Sequence, residues 1–199
     1  MTIAILQYNA GNVQSVLFAL RRLGIEGILT DDAEILQKAD RVIFPGVGEA
    51  SSAMNYLKNK GLDKVICSLT QPVLGICLGL QLLCKYSEEG NTNCLGIFDL
   101  QVKKFPTDKG FKVPHVGWNS IEKLQSKLFA GIHAGAYMYY VHSYYAELGS
   151  ATIAQTEYIL PFSAALQHKN FYAVQFHPEK SSDSGEQLLK NFLQISSYM

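Results

Sequence analysis

The chain has no surplus of charge: 17 Lys and Arg balance 17 Asp and Glu over 199 residues, and no run of like charge occurs. Without a basic face interleaved with aromatics, nucleic acid and an anionic membrane surface are excluded as main partners. No apolar stretch approaches the ~20 residues of a membrane span. Residues 1–6 are too short for the apolar core of a secretory leader and lack a basic lead, so they read as a first strand. The four cysteines, Cys67, Cys77, Cys84 and Cys94, show neither CxxC nor Cys/His ligand spacing. No metal site is therefore expected, and unpaired thiols suit a reducing compartment, the cytoplasm. Repeats, linkers and low-complexity tracts are also missing. One domain over 1–199 is expected, large enough to bury about 70% of its unfolded surface.

What is present is alternation. Ile3–Leu6 reads as a strand, Val13, Val16, Leu17 and Leu20 fall on one face of a helix, and a strand follows at 25–29. Arg41–Phe44 runs into Pro45-Gly46-Val47-Gly48, a helix follows over 54–60, and Val73–Ile76 is the next strand. Such a series implies a parallel sheet with helices on both faces, and places function at the carboxyl ends of the strands. Beyond residue 95 the pattern shortens to candidate strands at 100–103, 137–141, 151–156, 162–167 and 171–176, closed by a helix over 185–193. The fold class is α/β, a mixed sheet with an antiparallel later portion.

Gly75-Ile76-Cys77-Leu78-Gly79, between an apolar run and helix-forming residues, reads as a strand, a sharp turn and a helix with cysteine at the apex. This is the pattern of a nucleophile elbow carrying sulfur, with the following helix presenting free N–H groups to a thiol that ionises easily. A buried structural cysteine is the alternative. The choice turns on His177-Pro178-Glu179 at the end of strand 171–176. Pro178 holds an extended path, so a base and a carboxylate at i and i+2 project to one side. Cys77, His177 and Glu179 then supply a nucleophile, its base and the group that orients the base.

With Gly-x-Cys-x-Gly followed by His-Pro-Glu, the chain resembles the class I glutamine amidotransferases over essentially its whole length. The segments 45–48, 112–119 and 139–144 are similar to one branch of that family, the glutaminase subunits of imidazole glycerol phosphate synthases. The resemblance implies hydrolysis of L-glutamine to glutamate and ammonia without a metal or organic cofactor. It also implies a heterodimer with a (βα)₈-barrel cyclase subunit. Ammonia would be channelled to the cyclase to form imidazole glycerol phosphate and aminoimidazole carboxamide ribotide in histidine biosynthesis, with hydrolysis slow until the loaded cyclase docks. Two departures stand out: Ala10 where glycine is usual, and Val116 where methionine is common.

By the same resemblance the oxyanion donors are the N–H groups of Val47 and Leu78, with Gly46 permitting the peptide rotation that assembles them. Substrate contacts are expected from Gln81, one turn beyond Cys77, and from His142, Ser143 and Tyr144, largely through backbone groups for the first two of these three. The segment holding Pro114, His115, Trp118 and Asn119 includes the one tryptophan and is expected to dock the cyclase. Asn12 is expected to cap the helix from Val13. A paralogous amidotransferase serving another synthase, such as a surface-sugar pathway, shares all this chemistry. A stand-alone γ-glutamyl hydrolase would need no partner, and a thiol-based binding or redox module would need neither His177 nor Glu179.

Overall fold

The computed structural model describes residues 1–9, 11, 13–108 and 110–196. Ala10 and Asn12, and with them the expected cap, lie outside the described residues. The first half forms β1 (Ile3–Leu6), α1 (Val13–Arg22), β2 (Gly27–Thr30), α2 (Ala33–Lys38), β3 (Arg41–Phe44), α3 (Ala50–Asn59), α4 (Leu62–Ser68), β4 (Val73–Ile76) and α5 (Leu78–Leu83). β5 (Cys84–Ser87), β6 (Thr92–Asn93), β7 (Phe98–Lys104), β8 (His115–Ser120), β9 (Tyr137–His142) and β10 (Tyr144–Ala146) follow. The chain closes with β11 (Thr152–Tyr158), β12 (Leu160–His168), β13 (Phe171–Val174) and α6 (Ser182–Gln194).

Seven strands make the main sheet in the order β11-β12-β13-β4-β3-β1-β2. β2, β1, β3, β4 and β13 are mutually parallel, whereas β12 and β11 add as antiparallel neighbours. Strand alternation divides the core in two. Ile3 and Ile5 pack with α1 and α6 on one face, while Ala4 and Leu6 pack with α2, α3, α4 and α5 on the other. Burial on both sides explains why β1, β4 and β13 are apolar throughout. The expected parallel sheet covered on both faces is thus present, and strand 171–174 joins it to the later portion, parallel to β4 on one side and antiparallel to β12 on the other.

Two smaller sheets went unread: a four-stranded sheet, β10-β7-β5-β6, and an antiparallel ribbon, β8-β9, with His115 opposite His142 and Trp118 opposite Tyr139. β13 is the element that matters most for the site. It lies beside β4 with Val174 opposite Ile76, so the residues following each strand emerge side by side at the carboxyl edge.

Candidate active site

Cys77 follows β4 with φ 52° and ψ −105°, a left-handed conformation for a residue with a side chain. The strain of the elbow therefore sits on the cysteine itself. The flanking glycines act by clearance: a Cβ on Gly75 would press on Leu83, and one on Gly79 would overlap the Phe44 carbonyl of β3. Close packing of α5 on the sheet, rather than unusual dihedrals at the glycines, is what Gly-x-Cys-x-Gly encodes. The Cys77 N–H donates to the Val174 carbonyl at 2.8 Å, stitching the elbow to β13.

His177 and Glu179 meet by a route different from the extended path expected. His177 is extended (φ −100°, ψ 94°), but Pro178–Lys180 turn into a short 3₁₀ helix with Pro178 at its start. The turn folds Glu179 back so that His177 Nδ1 lies 2.8 Å from Glu179 Oε1, both side chains almost fully buried. Packing enforces it, because a Cβ on Gly185 of α6 would overlap the Pro178 carbonyl. The ribbon fixes the backbone: His177 N–H donates to the Tyr139 carbonyl at 2.8 Å, and the Tyr139 N–H donates to Ser181 Oγ at 2.9 Å. With Nδ1–H given to the carboxylate, Nε2 is left for the sulfur. Burial by itself would lower the His177 pKa. The Cys77 sulfur, through charge and a hydrogen bond, and the Glu179 carboxylate outweigh it and raise His177 to about 10.

A cleft of about 230 Å³ opens over the sulfur, lined by Val47, Gly48, Cys77, Leu78, Gln81, Glu89, Pro114, Val141, His142, Ser143 and Tyr144. Its size suits one amino acid. All the expected nucleophile, oxyanion and substrate segments therefore converge on one cavity. Glu89, which the sequence reading missed, is its acidic wall. Burial raises its carboxyl above the usual range, the Ala50 N–H pulls it back, and Glu49 adds to the rise. A larger recess of about 720 Å³, by Lys127, Gln167 and Tyr172 at the amino end of β13, contains no cysteine or histidine in its lining. Chemistry therefore selects the smaller cavity.

The oxyanion segment is held at three points. Tyr8 Oη donates to the Pro45 carbonyl at 2.7 Å, the Leu78 N–H donates to the Gly46 carbonyl at 3.2 Å, and the Gly11 N–H donates to the Val47 carbonyl at 3.2 Å. The Gly46 carbonyl thus occupies the Leu78 N–H. In a trans peptide the Val47 N–H points opposite to that carbonyl, away from Leu78. A Cβ on residue 46 would overlap the Tyr8 hydroxyl, so only glycine fits.

Two more histidines lie inside the ribbon. His142 Nδ1–H donates to the Tyr144 carbonyl at 2.7 Å, which leaves its Nε2 to accept from His115 Nδ1 at 3.1 Å. His115 Nε2 in turn faces Asn119 Nδ2 at 3.4 Å. A carbonyl can only accept, so the whole order of donors follows from Tyr144. Burial lowers His142 to about 3, opposed by the Tyr144 carbonyl and aided by the charges of His115 and His177, and burial lowers His115 to about 4. His115, 4% exposed, is stacked on Tyr158 and Tyr140. Its side chain is turned into the protein, whereas Asn119 on the same face of the strand is half-buried. The outer face of the ribbon is instead Val116, Trp118 and Tyr137, exposed by 56, 51 and 61%.

Burial pushes Cys84 well above its ordinary value and Cys94 to about 12, and Cys67 is raised by burial and by Asp63. Among the described residues no cluster of His, Cys, Asp and Glu is arranged to hold a metal ion, and no helix is long and apolar enough to cross a membrane.

Residues 5–195 match the family model described as glutamine amidotransferase class-I. The chain is 57% identical over 196 residues to the imidazole glycerol phosphate synthase subunit HisH of Bacteroides fragilis (strain YCH46), covering 98% of this chain and 100% of that protein. It is 46% identical to the same-named subunit of Shewanella loihica, covering 96 and 90%. A crystal structure of a glutamine amidotransferase superposes with a TM-score of 0.74 at 20% identity, covering 98% of both chains, a likeness of fold.

Proposed function

Because the chain belongs to the class I glutamine amidotransferase family, we propose that it is the glutaminase subunit of an imidazole glycerol phosphate synthase, with Cys77, His177 and Glu179 as its catalytic triad. Glutamine amidotransfer and a place in histidine biosynthesis come with full-length identity to subunits of that name. The observation that carries the catalytic assignment is a strained elbow cysteine that lines an amino-acid-sized cleft and has a buried, carboxylate-paired imidazole interacting with its sulfur.

The Cys77 thiolate attacks the side-chain amide carbon of glutamine. His177 protonates the departing nitrogen, and ammonia leaves a γ-glutamyl thioester. Water, deprotonated by His177, then releases glutamate and restores the thiol. Glu179 holds the Nδ1–H tautomer and stabilises the imidazolium. The substrate's α-ammonium pairs with Glu89, and backbone groups of 142–144 receive its α-carboxylate. The tetrahedral oxyanion needs the N–H groups of Val47 and Leu78, so the Gly46–Val47 peptide has to rotate and release Leu78. That rotation is the step through which a docked (βα)₈-barrel cyclase controls hydrolysis, and Val116, Trp118 and Tyr137 form its docking face on this chain.

The test is glutamate release from L-glutamine by the purified chain, alone and with the cyclase subunit and its nucleotide substrate. Strong stimulation that disappears in Cys77→Ala supports the whole reading. High activity without the cyclase favours a stand-alone hydrolase, and silence in both conditions favours another acceptor synthase.

A further inference from the structure

We propose that Gln175 is a second hydrogen-bond donor to the nucleophile, holding the Cys77 sulfur in place beside its base; this rests on Cys77 being the nucleophile. Gln175 follows β13, is fully buried, and places Nε2 3.7 Å from Cys77 Sγ. The reach suits an N–H to sulfur contact, and the orientation of the amide is dictated by its neighbours. The Tyr144 carbonyl accepts from Gln81 Nε2 at 2.9 Å, and the same nitrogen of Gln81 lies 3.1 Å from Gln175 Oε1. A flipped Gln175 would set two NH₂ groups against each other, so the donor end faces the sulfur.

Such a donor does what a histidine or lysine there would not. It stabilises negative charge on sulfur while having no proton to lose and none to accept, so it leaves proton transfer entirely to His177. It also restrains a side chain whose backbone is strained. Because its amide is latched through Gln81 to the Tyr144 carbonyl, the wall of the substrate cleft and the aim of the nucleophile are set by one chain of hydrogen bonds.

The experiment is alkylation of Cys77 by iodoacetamide, in which the sulfur–carbon bond forms as iodide leaves, followed on the full chain by peptide mass spectrometry so that exposed Cys67 does not interfere. Gln175→Met keeps the length and loses the donor; Gln175→Glu keeps the acceptor for Gln81 and turns an oxygen on the sulfur. In Gln175→Met the rate at pH 7 falls about tenfold and the midpoint of the rate-against-pH curve rises by about one unit, with kcat for glutamine falling in step and KM little changed. Gln175→Glu shifts further in the same direction. A midpoint unmoved in folded Gln175 variants overturns the proposal, since a purely structural role would change the melting temperature and leave that curve alone. Should both fail to fold, Gln81→Met, which frees the Gln175 amide, decides on the same readout. Glutaminase activity that survives Cys77→Ala would instead sink the nucleophile assignment, a separately visible result.

Discussion

His177 and the His142–His115 pair are about equally hidden from water, yet they are driven in opposite directions, to about 10 against about 3 and 4. Burial lowers all three. What differs is the company each ring keeps. His177 has a carboxylate on one nitrogen and the nucleophilic sulfur beside the other, so its cation is held in place. His142 gives its proton to a carbonyl and receives one from another imidazole, and each would repel charge on the other. The first arrangement suits a group that moves protons; the second, by refusing them, sets a fixed pattern of donors that shapes the cleft wall at Tyr144.

Removing the sulfur breaks this contrast most severely. Cys77→Ala is expected to lower glutamine hydrolysis by at least ~10³-fold, and to bring the His177 titration down toward the ordinary range, read by NMR of the labelled ring. An unmoved His177 would show that the sulfur is not its partner. Glu179→Gln keeps the shape and removes the charge: kcat drops about 10²-fold and His177 again titrates lower, while glutamine KM changes little.

The neutral pair is carried on the ribbon whose outer face bears Trp118. Trp118→Ala is expected to weaken cyclase binding by about 2 kcal/mol, measured by titration calorimetry, while leaving the unstimulated rate unchanged. Full-strength binding would move the docking face elsewhere. The smallest effect is on acid stability. Because the folded His142 takes up a proton only near pH 3, the unfolded chain binds one that the fold refuses once pH falls below about 6.5. Stability is therefore flat above that value on this account and falls as pH drops toward 3. Denaturant melts between pH 7 and 4 should show His142→Phe less acid-sensitive than the parent by up to about 1.4 kcal/mol per pH unit. Equal slopes would remove His142 from the account. His177 acts with the opposite sign: its contribution is complete below about 6.5 and is lost as pH rises through about 10.

The contrast also separates what was readable in the sequence from what was not. Gly-x-Cys-x-Gly and His-Pro-Glu are local and carry unusual chemistry, so the elbow and the base–carboxylate pair were legible, though the reasons differed in detail. The strain fell on Cys77, and Glu179 arrived by a 3₁₀ turn rather than an extended path. His115 was read as an interface residue because a lone strand does not reveal which of its two faces is inward; only the pairing with β9 decides that. Gln175 was read only as part of strand 171–176, and Glu89 drew no reading. Both acquire meaning from groups far along the chain, Gln175 from Cys77 and Gln81, Glu89 from the Ala50 amide. The helices α2 and α4 and the strands β5 and β6 are too short to show a period.

β13 enters the sheet between β4 and β12, carrying His177 to a cysteine synthesised one hundred residues earlier. During translation the thiol emerges long before its base, and pairing across that separation is among the slowest kinds of contact to form. On the proposed mechanism, a fragment ending between residues 78 and 170 has the cysteine but neither the strand that braces it nor the imidazole and carboxylate that follow that strand, so truncated copies of that kind should hydrolyse no glutamine.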